Sequence, residues 1–280
     1  MNSFDKNENR YDGLRDNIEK RKKTALAIAE FIVNEEYDIA FLQEVDYKDN
    51  IEIFIYYFAR RGYQVKIPTS LENSKVDFCN MIVARETVNI NYIINDSQFP
   101  SARWQEIKIS DKIFMLNIHA KDEERFKGPL KNYLSQKNNY ASIIMGDFNL
   151  AGEQDRENIL DSEKEAIVSN DIFLKEFTDC GYIDIKDVDR PYTYYPAEER
   201  GRRLDHCFVS ESIVKHFTCI GYTCVDINVL LNSSKGFTDH CGIILDINLW
   251  NSSFRQLRIM EVDIFNSDDN LLRLGDKKCI

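Results

Sequence analysis

Five short motifs place acids, amides and imidazoles at the edges of apolar runs in this chain. Glu44 closes Ile39-Ala40-Phe41-Leu42-Gln43, and His119 closes the run that begins at Ile113. Gly146-Asp147-Phe148-Asn149 follows Ser142-Ile143-Ile144-Met145, while Arg203-Leu204-Asp205-His206 leads into Cys207-Phe208-Val209. Thr238-Asp239-His240 runs into Cys241-Gly242-Ile243-Ile244-Leu245. Buried strands rarely carry Asp, Glu or His, because desolvating these groups is costly unless they are paired or hold a metal. The recurrence predicts one cluster of acids and imidazoles at strand ends, the composition of a hydrolytic metal site.

Phosphoester hydrolysis needs a Lewis acid on the phosphoryl oxygens, a base for the attacking water, and charge stabilisation in the transition state. Glu44 and Asp239, each at the edge of a buried run, are the metal-ligand candidates, and oxygen donors suit Mg2+ or Mn2+. In Gly146-Asp147-Phe148-Asn149 the glycine permits a tight turn and Phe148 points into the core. Asp147 and Asn149 then emerge together and can orient a water. A Gly-Asp-x-Asn sequence by itself is most often only a turn.

Three of the four histidines, His119, His206 and His240, sit in these motifs, and His216 does not. Asp205 is the expected carboxylate partner of His240, fixing its tautomer and raising its basicity. His119 is placed to protonate a leaving oxygen or to donate to a non-bridging phosphate oxygen. His206, next to Asp205 on a strand, falls on the opposite face and reads as structural.

The elements that carry these motifs follow from apolar periodicity. Ala25, Ile28, Ala29 and Ile32 mark a helix within 17–34, and Ile51, Phe54, Ile55 and Phe58 mark another that Gly62 stops. From Met81 to His119 short strand-like segments separated by polar turns predict antiparallel pairing. Helices are expected over 122–140 and 171–179, with strands at 204–209, 220–225 and 243–247. Beyond Leu249 the pattern weakens, and 250–280 reads as an appended segment. There Leu257, Met260 and Ile264 keep the spacing of one more amphipathic element.

A length of 280 residues, 43% of them apolar, suits one large domain. No apolar run approaches the roughly 18 residues of a membrane span, and the polar opening does not read as a secretory signal. The seven scattered cysteines contain no Cys-x-x-Cys pair and suit free thiols in a reducing cytoplasm. A net charge of -11 argues against a general nucleic-acid coating protein. Polyphosphate could be held only at local basic patches, Lys20-Arg21-Lys22-Lys23 and Arg200/Arg202/Arg203. The second lies beside Asp205, which makes Arg203 a candidate for substrate contact.

Taken in order, Leu42-Gln43-Glu44, Asn117-Ile118-His119, Gly146-Asp147-Phe148-Asn149, Arg203-Leu204-Asp205-His206 and Thr238-Asp239-His240 resemble the endonuclease/exonuclease/phosphatase superfamily. Lys20-Arg21-Lys22, Asn80-Met81-Ile82-Val83 and Tyr192-Thr193-Tyr194 add further similarities. The resemblance implies an α/β (α+β) four-layer sandwich of two mostly antiparallel β-sheets flanked by helices, spanning 1–249, with 250–280 as a C-terminal extension. By the same resemblance Glu44 binds a divalent metal, and Asp239 sits with it or with the catalytic histidine. Asp147 and Asn149 position and deprotonate water, while His240 with Asp205, and His119, serve the phosphate and leaving group. Asn80 and Arg203 are then the expected substrate contacts.

Such proteins open with a strand ending in an Asn that helps hold metal or phosphate. Here only Met1-Asn2 stands in that place, so Asn2 is read as that Asn with its strand missing, and residues 1–9 are expected beside the Glu44 strand. The expected function is a Mg2+- or Mn2+-dependent phosphodiester hydrolase acting on nucleic acid. The alternatives are a phosphatase on a small phosphorylated molecule or lipid head group, and a non-catalytic binding protein that keeps the nuclease fold. The segment around Asp205 lacks the Trp-Cys-Asp-Arg arrangement of inositol 5-phosphatases, and the intact acid and histidine set argues against a decayed site.

Overall fold

The computed structural model describes residues 22–47, 51–68, 78–93, 102–110, 113–120, 123–135, 141–158, 164–186, 192–194, 201–214, 217–225, 240–249 and 256–263. Helix α1 (22–34) forms on the predicted stripe, and Ala25, Ile28, Ala29 and Ile32 are all fully buried. It feeds strand β1 (Ile39–Asp46), helix α2 (Ile51–Ala59), β2 (Tyr63–Lys66) and β3 (Phe78–Arg85). On α2 the buried stripe is Ile51, Phe54, Tyr57 and Phe58, whereas Ile55 is exposed. Gly62 takes φ 74°, the left-handed turn that ends the helix.

The chain continues through β4 (Asn91–Ile93), β5 (Trp104–Ser110), β6 (Ile113–His119), α3 (Glu123–Ser135) and β7 (Ile143–Asp147). Helix α4 (Lys164–Asp179) starts earlier than the periodicity suggested and precedes β8 (Tyr182–Ile185) and β9 (Asp205–Ser210). Strands β10 (Phe217–Val225), β11 (Gly242–Leu249) and β12 (Leu257–Asp263) complete the order.

Two six-stranded sheets result, ordered β10-β11-β12-β1-β3-β2 and β4-β5-β6-β7-β9-β8. Both are antiparallel except for one central parallel pair each, β12 with β1 and β6 with β7. Between the sheets lies an aliphatic layer that includes Ile39, Phe41, Ile82, Met115, Ile143, Val209, Leu245 and Ile259. Outside the first sheet α1 and α2 cover Ala40, Leu42, Met81 and Val83. Outside the second, α3 and α4 cover Leu116, Ile118, Ile144, Phe148 and Phe208. The expected four-layer sandwich is therefore the fold, and burial of each large apolar side chain contributes roughly 1.5–3 kcal/mol to it.

The C-terminal segment requires a correction. Leu257–Asp263 is neither helical nor appended: it is a strand inserted between β11 and β1, with Gln43 and Asp263 as its last register pair on β1. Folded structure thus runs past 249 to 263. Helical spacing misled because Leu257, Ile259, Met260 and Val262 face two different buried layers. A strand buried on both faces carries no alternation. The place beside β1 that the sequence reading reserved for an N-terminal strand is thereby filled.

Candidate active site

Parallel pairing of β6 with β7 makes His119 and Asp147 register partners, and antiparallel pairing of β7 with β9 sets Asp147 against Asp205. His119, Asp147 and Asp205 therefore stand in one row at the edge of the second sheet. Facing them is Glu44, which sits in a bulge where the β1–β3 register shifts between Leu42 and Val45. Its φ of 49° is uncommon for a non-glycine residue and re-aims the side chain out of the strand's alternation. His119 Nε2 lies 3.7 Å from Glu44 Oε1 and 3.5 Å from Asp147 Oδ2.

The two sheets are joined at this edge by buried amides. Gln43, Asn117, Gln105 and Asn80 are all fully buried. The Gln43 amide donates to Asn117 Oδ1 at 3.2 Å, while its Oε1 accepts from the backbone N–H of Asp147 at 2.9 Å. Asn117 donates to Gln105 Oε1 at 3.4 Å, and Gln105 donates to the Lys66 carbonyl at 3.1 Å. Gly146 makes the crossing possible. At φ 150°, a Cβ there would lie 1.9 Å from the Ile118 carbonyl oxygen and 2.6 Å from the Gln43 amide nitrogen.

Asp147 is held by its own turn. Its Oδ1 accepts from the Asn149 backbone N–H at 2.7 Å and its Oδ2 from the Asn149 side-chain amide at 2.6 Å. Asn149 takes φ 51°, a conformation asparagine tolerates well. Burial, then the neighbouring Asp205 charge, push the Asp147 carboxyl well above the usual carboxylate range, against the opposing pull of His240 and the Asn149 N–H. Such a carboxylate is a stronger base than one in water.

His240 Nδ1 and Asp205 Oδ2 are 2.8 Å apart, and both residues are buried. Thr193 fixes this dyad. Its Oγ1 accepts from the N–H groups of Leu204 at 3.1 Å and Asp205 at 3.0 Å, and its carbonyl accepts from the Cys241 N–H at 2.6 Å. The Tyr194 ring lies 4.9 Å from the His240 ring. Asp205 Oδ1, by contrast, is buried with no hydrogen-bond partner among the described residues.

Most of the expected residues come together. His119, Asp147, Asn149, Asp205, His240 and Glu44 share one edge, whereas Asn2 and Asp239 lie outside the described residues. Arg203 does not join them. Its guanidinium makes a bidentate pair with Asp184, at 2.7 and 2.5 Å, and also reaches the Ile185 carbonyl at 3.1 Å. Burial raises the Asp184 carboxyl, but this pair overrides it and holds the group below the usual range. Arg203 instead lines a separate cleft of about 230 Å³ with Gly152, Asp171, Lys175, Asp184 and His206.

Asn80 reaches the site edge, but its amide N–H groups are spent on the carbonyls of Arg103 and Asn117, at 3.1 and 3.4 Å. The Oδ1 left over is buried and without a partner among the described residues. An acceptor oxygen repels a phosphate oxygen, so this geometry gives Asn80 no donor for substrate.

His206 points to the opposite face of β9 from Asp205, the face its strand position implied. It stacks on Phe208, lies edge-on to Phe148 and reaches the Leu150 carbonyl at 3.3 Å, and burial lowers its pKa to about 4. Gln43 and Thr193 lie inside motifs visible in the sequence, Leu42-Gln43-Glu44 and Tyr192-Thr193-Tyr194, but neither was singled out as a site residue.

No three His, Cys, Asp or Glu side chains close around one point among the described residues. Mg2+ does not require such a cage, because it keeps most of its waters and takes one or two carboxylates. The donor set is of the right kind: hard oxygens crowded together, one of them Asp205 Oδ1, which has no partner among the described residues.

The profile of the endonuclease/exonuclease/phosphatase family matches residues 6–240. No curated protein matches the sequence. Among solved structures, the 3'-5' exonuclease NExo from Neisseria meningitidis is 14% identical with a TM-score of 0.60, covering 80% of this chain and 95% of that one. The same protein, described as the 3' phosphatase NExo from Neisseria bound to a product DNA hairpin, gives a TM-score of 0.59 at 14% identity, with 80% and 94% covered. The endonuclease domain of a telomere-specific non-LTR retrotransposon gives 0.54 at 17% identity, with 81% and 92% covered. At these identities the likeness is one of fold.

Proposed function

The chain belongs to the endonuclease/exonuclease/phosphatase family of phosphoester hydrolases, and on that premise we propose that it is a divalent-metal-dependent phosphodiesterase acting on nucleic acid. The observation that carries this reading is the buried His240–Asp205 dyad, 2.8 Å across, beside the row of Asp147, His119 and Glu44. Glu44 would hold Mg2+ or Mn2+, with Asp239 as a further candidate. The metal would supply Lewis-acid polarisation of the phosphoryl oxygen.

The remaining chemistry falls to the chain's own groups. Asp147, made basic by burial and oriented by Asn149, accepts the proton of the attacking water. Asp205 holds His240 Nδ1 so that Nε2 faces outward, where it carries or donates a proton at the phosphate. His119 stands between Glu44 and Asp147 and offers Nε2 to a non-bridging or leaving oxygen.

Nucleic acid as substrate is supported by the solved structure of similar fold that holds a DNA hairpin. The net charge of -11 favours a second reading, a substrate that makes few phosphate contacts, such as a small phosphomonoester. Free thiols at Cys79, Cys180, Cys207 and Cys241 support a cytoplasmic location. Among the described residues no helix is long and apolar enough to cross a membrane. The test is a set of parallel assays with an abasic or nicked duplex, a 3'-phosphorylated hairpin, a phosphomonoester and a phosphatidylcholine analogue, with Mg2+ and with chelator. Hydrolysis of DNA in Mg2+ alone supports the first reading; turnover of the phosphomonoester only supports the second. Undiminished activity in chelator overturns both.

A further inference from the structure

We propose that the cleft outside the second sheet, between α4 and β9, binds a small neutral molecule bearing hydroxyl groups, with His206 Nδ1 as the acceptor that anchors it. The cleft holds about 230 Å³, and none of His119, Asp147, Asp205 or His240 lines it. Successive residues of a strand face opposite ways. On β9, Cys207 belongs to the layer between the sheets and Phe208 to the layer under α3 and α4. His206 shares the Phe208 side, away from Asp205 and the catalytic row.

The His206 ring is 1% exposed, stacked on Phe208 and edge-on to Phe148. Its Nε2 stands 3.3 Å from the Leu150 carbonyl, which can only accept. The ring hydrogen therefore belongs on Nε2, and Nδ1 carries a bare lone pair. Nδ1 is buried and has no hydrogen-bond partner among the described residues. An acceptor kept from water in this way is costly unless something donates to it, and His206 forms part of the cleft wall. The cleft exceeds the ~30 Å³ share of one water. It falls short of the roughly 300–1,000 Å³ that drug-sized ligands fill, and so suits a molecule of a few carbons.

The remaining wall decides the chemical class. Asp171, Leu174, Lys175 and Thr178 lie on one stripe of α4, and the 3-10 turn Glu153–Asn158 with Gly152 closes the other side. A Cβ at Gly152 would stand 2.8 Å from Asp171 Oδ1, so the glycine lets this turn approach the helix. Charges come in opposite pairs: Arg203 with Asp184, Glu153 with Arg156, and Asp171 one turn from Lys175. A cation at Nδ1 would meet the Arg203 guanidinium, which already disfavours positive charge on the ring. An anion would meet the lone pair itself. A hydroxyl donates to Nδ1 and exchanges further hydrogen bonds with the polar rim, while Leu174 covers the carbons it is attached to.

The experiment titrates the full chain with glycerol, propylammonium and propionate, three probes of similar size and different charge, and follows the Gly152 and Glu153 backbone amides by 15N NMR. It compares wild type, His206→Phe, Thr178→Phe and the exposed α4 control Glu165→Gln. Glycerol should shift these amides saturably and alike in wild type and control. His206→Phe keeps an aromatic ring but removes Nδ1, and should bind about tenfold or more weaker. Thr178→Phe places a ring at the exposed mouth and should weaken binding as much, so it decides if His206→Phe disturbs folding. A wild type without a saturable glycerol shift overturns the site. Variants that bind as wild type overturn the assignment of His206 and the cleft, and either charged probe binding as tightly as glycerol overturns the neutral class.

Discussion

Replacing Asp205 by asparagine should separate catalysis from stability, since the same carboxylate helps one and strains the other. Asp205 is fully buried, bonds His240 through Oδ2 and faces Asp147 across the β7–β9 pair. Side chains in such a pair stand about 5 Å apart, and when both carboxyls are ionised, at a pH above the raised Asp147 value, two unit charges at that distance repel by about 3 kcal/mol at an effective dielectric near 20. The substitution removes that repulsion and also a charge-assisted hydrogen bond worth about 1.5–3 kcal/mol. The terms nearly cancel, so Asp205→Asn should melt within about 5 °C of wild type for a domain of this size. Activity should fall about 10²–10⁴-fold, because an amide neither fixes the His240 tautomer nor stabilises its protonated ring. Steady-state hydrolysis of the substrate identified in the parallel assays, together with calorimetric melting, reads both quantities. A kcat/KM within about tenfold of wild type would refute the dyad's role, as would a loss of activity accompanied by a collapse in melting temperature.

Gly146→Ala forces a Cβ to within 1.9 Å of the Ile118 carbonyl at a φ of 150°, so urea unfolding should show a loss on the order of 3 kcal/mol or more; a loss below about 1 kcal/mol would contradict the geometry. Glu44→Gln should need more Mg2+ for half-maximal hydrolysis while melting normally without metal, and an unchanged Mg2+ dependence would exclude Glu44 as a ligand. His206 has its pKa lowered from 6.5 to about 4 by burial, so folding favours the neutral ring. The stability this gives is complete above pH 6.5 and drains as pH falls towards 4, by about 2 kcal/mol between pH 6.5 and 5. His206→Gln should remove that slope from urea titrations, and an unaltered slope would place the loss in other groups. A chain ending at Leu249 lacks β12 and leaves β11 and β1 without their shared neighbour; circular dichroism should show no cooperative melt, and a native-like melt would mean that β12 is dispensable.

Strand-end chemistry was legible in the sequence because burying an acid or imidazole is costly, so Glu44, His119, Asp147, Asp205 and His240 stand out against apolar neighbours without knowledge of the fold. Periodicity located α1 and α2 for the same reason, each having one apolar stripe to bury. The sandwich of two sheets followed from motif order. Local sequence could not say which strands become neighbours. The pairing of Leu257–Asp263 with Ile39–Asp46 joins residues some two hundred positions apart, and only the completed sheet decides it. Side-chain commitments were equally out of reach: Arg203 lies two residues from Asp205, yet its charge is taken by Asp184 on another strand, and the Asn80 amide is turned by two backbone carbonyls. Residue type sets what a group can do. Which partner claims it first, and whether anything is left for substrate, depends on distances that exist only after both sheets have packed.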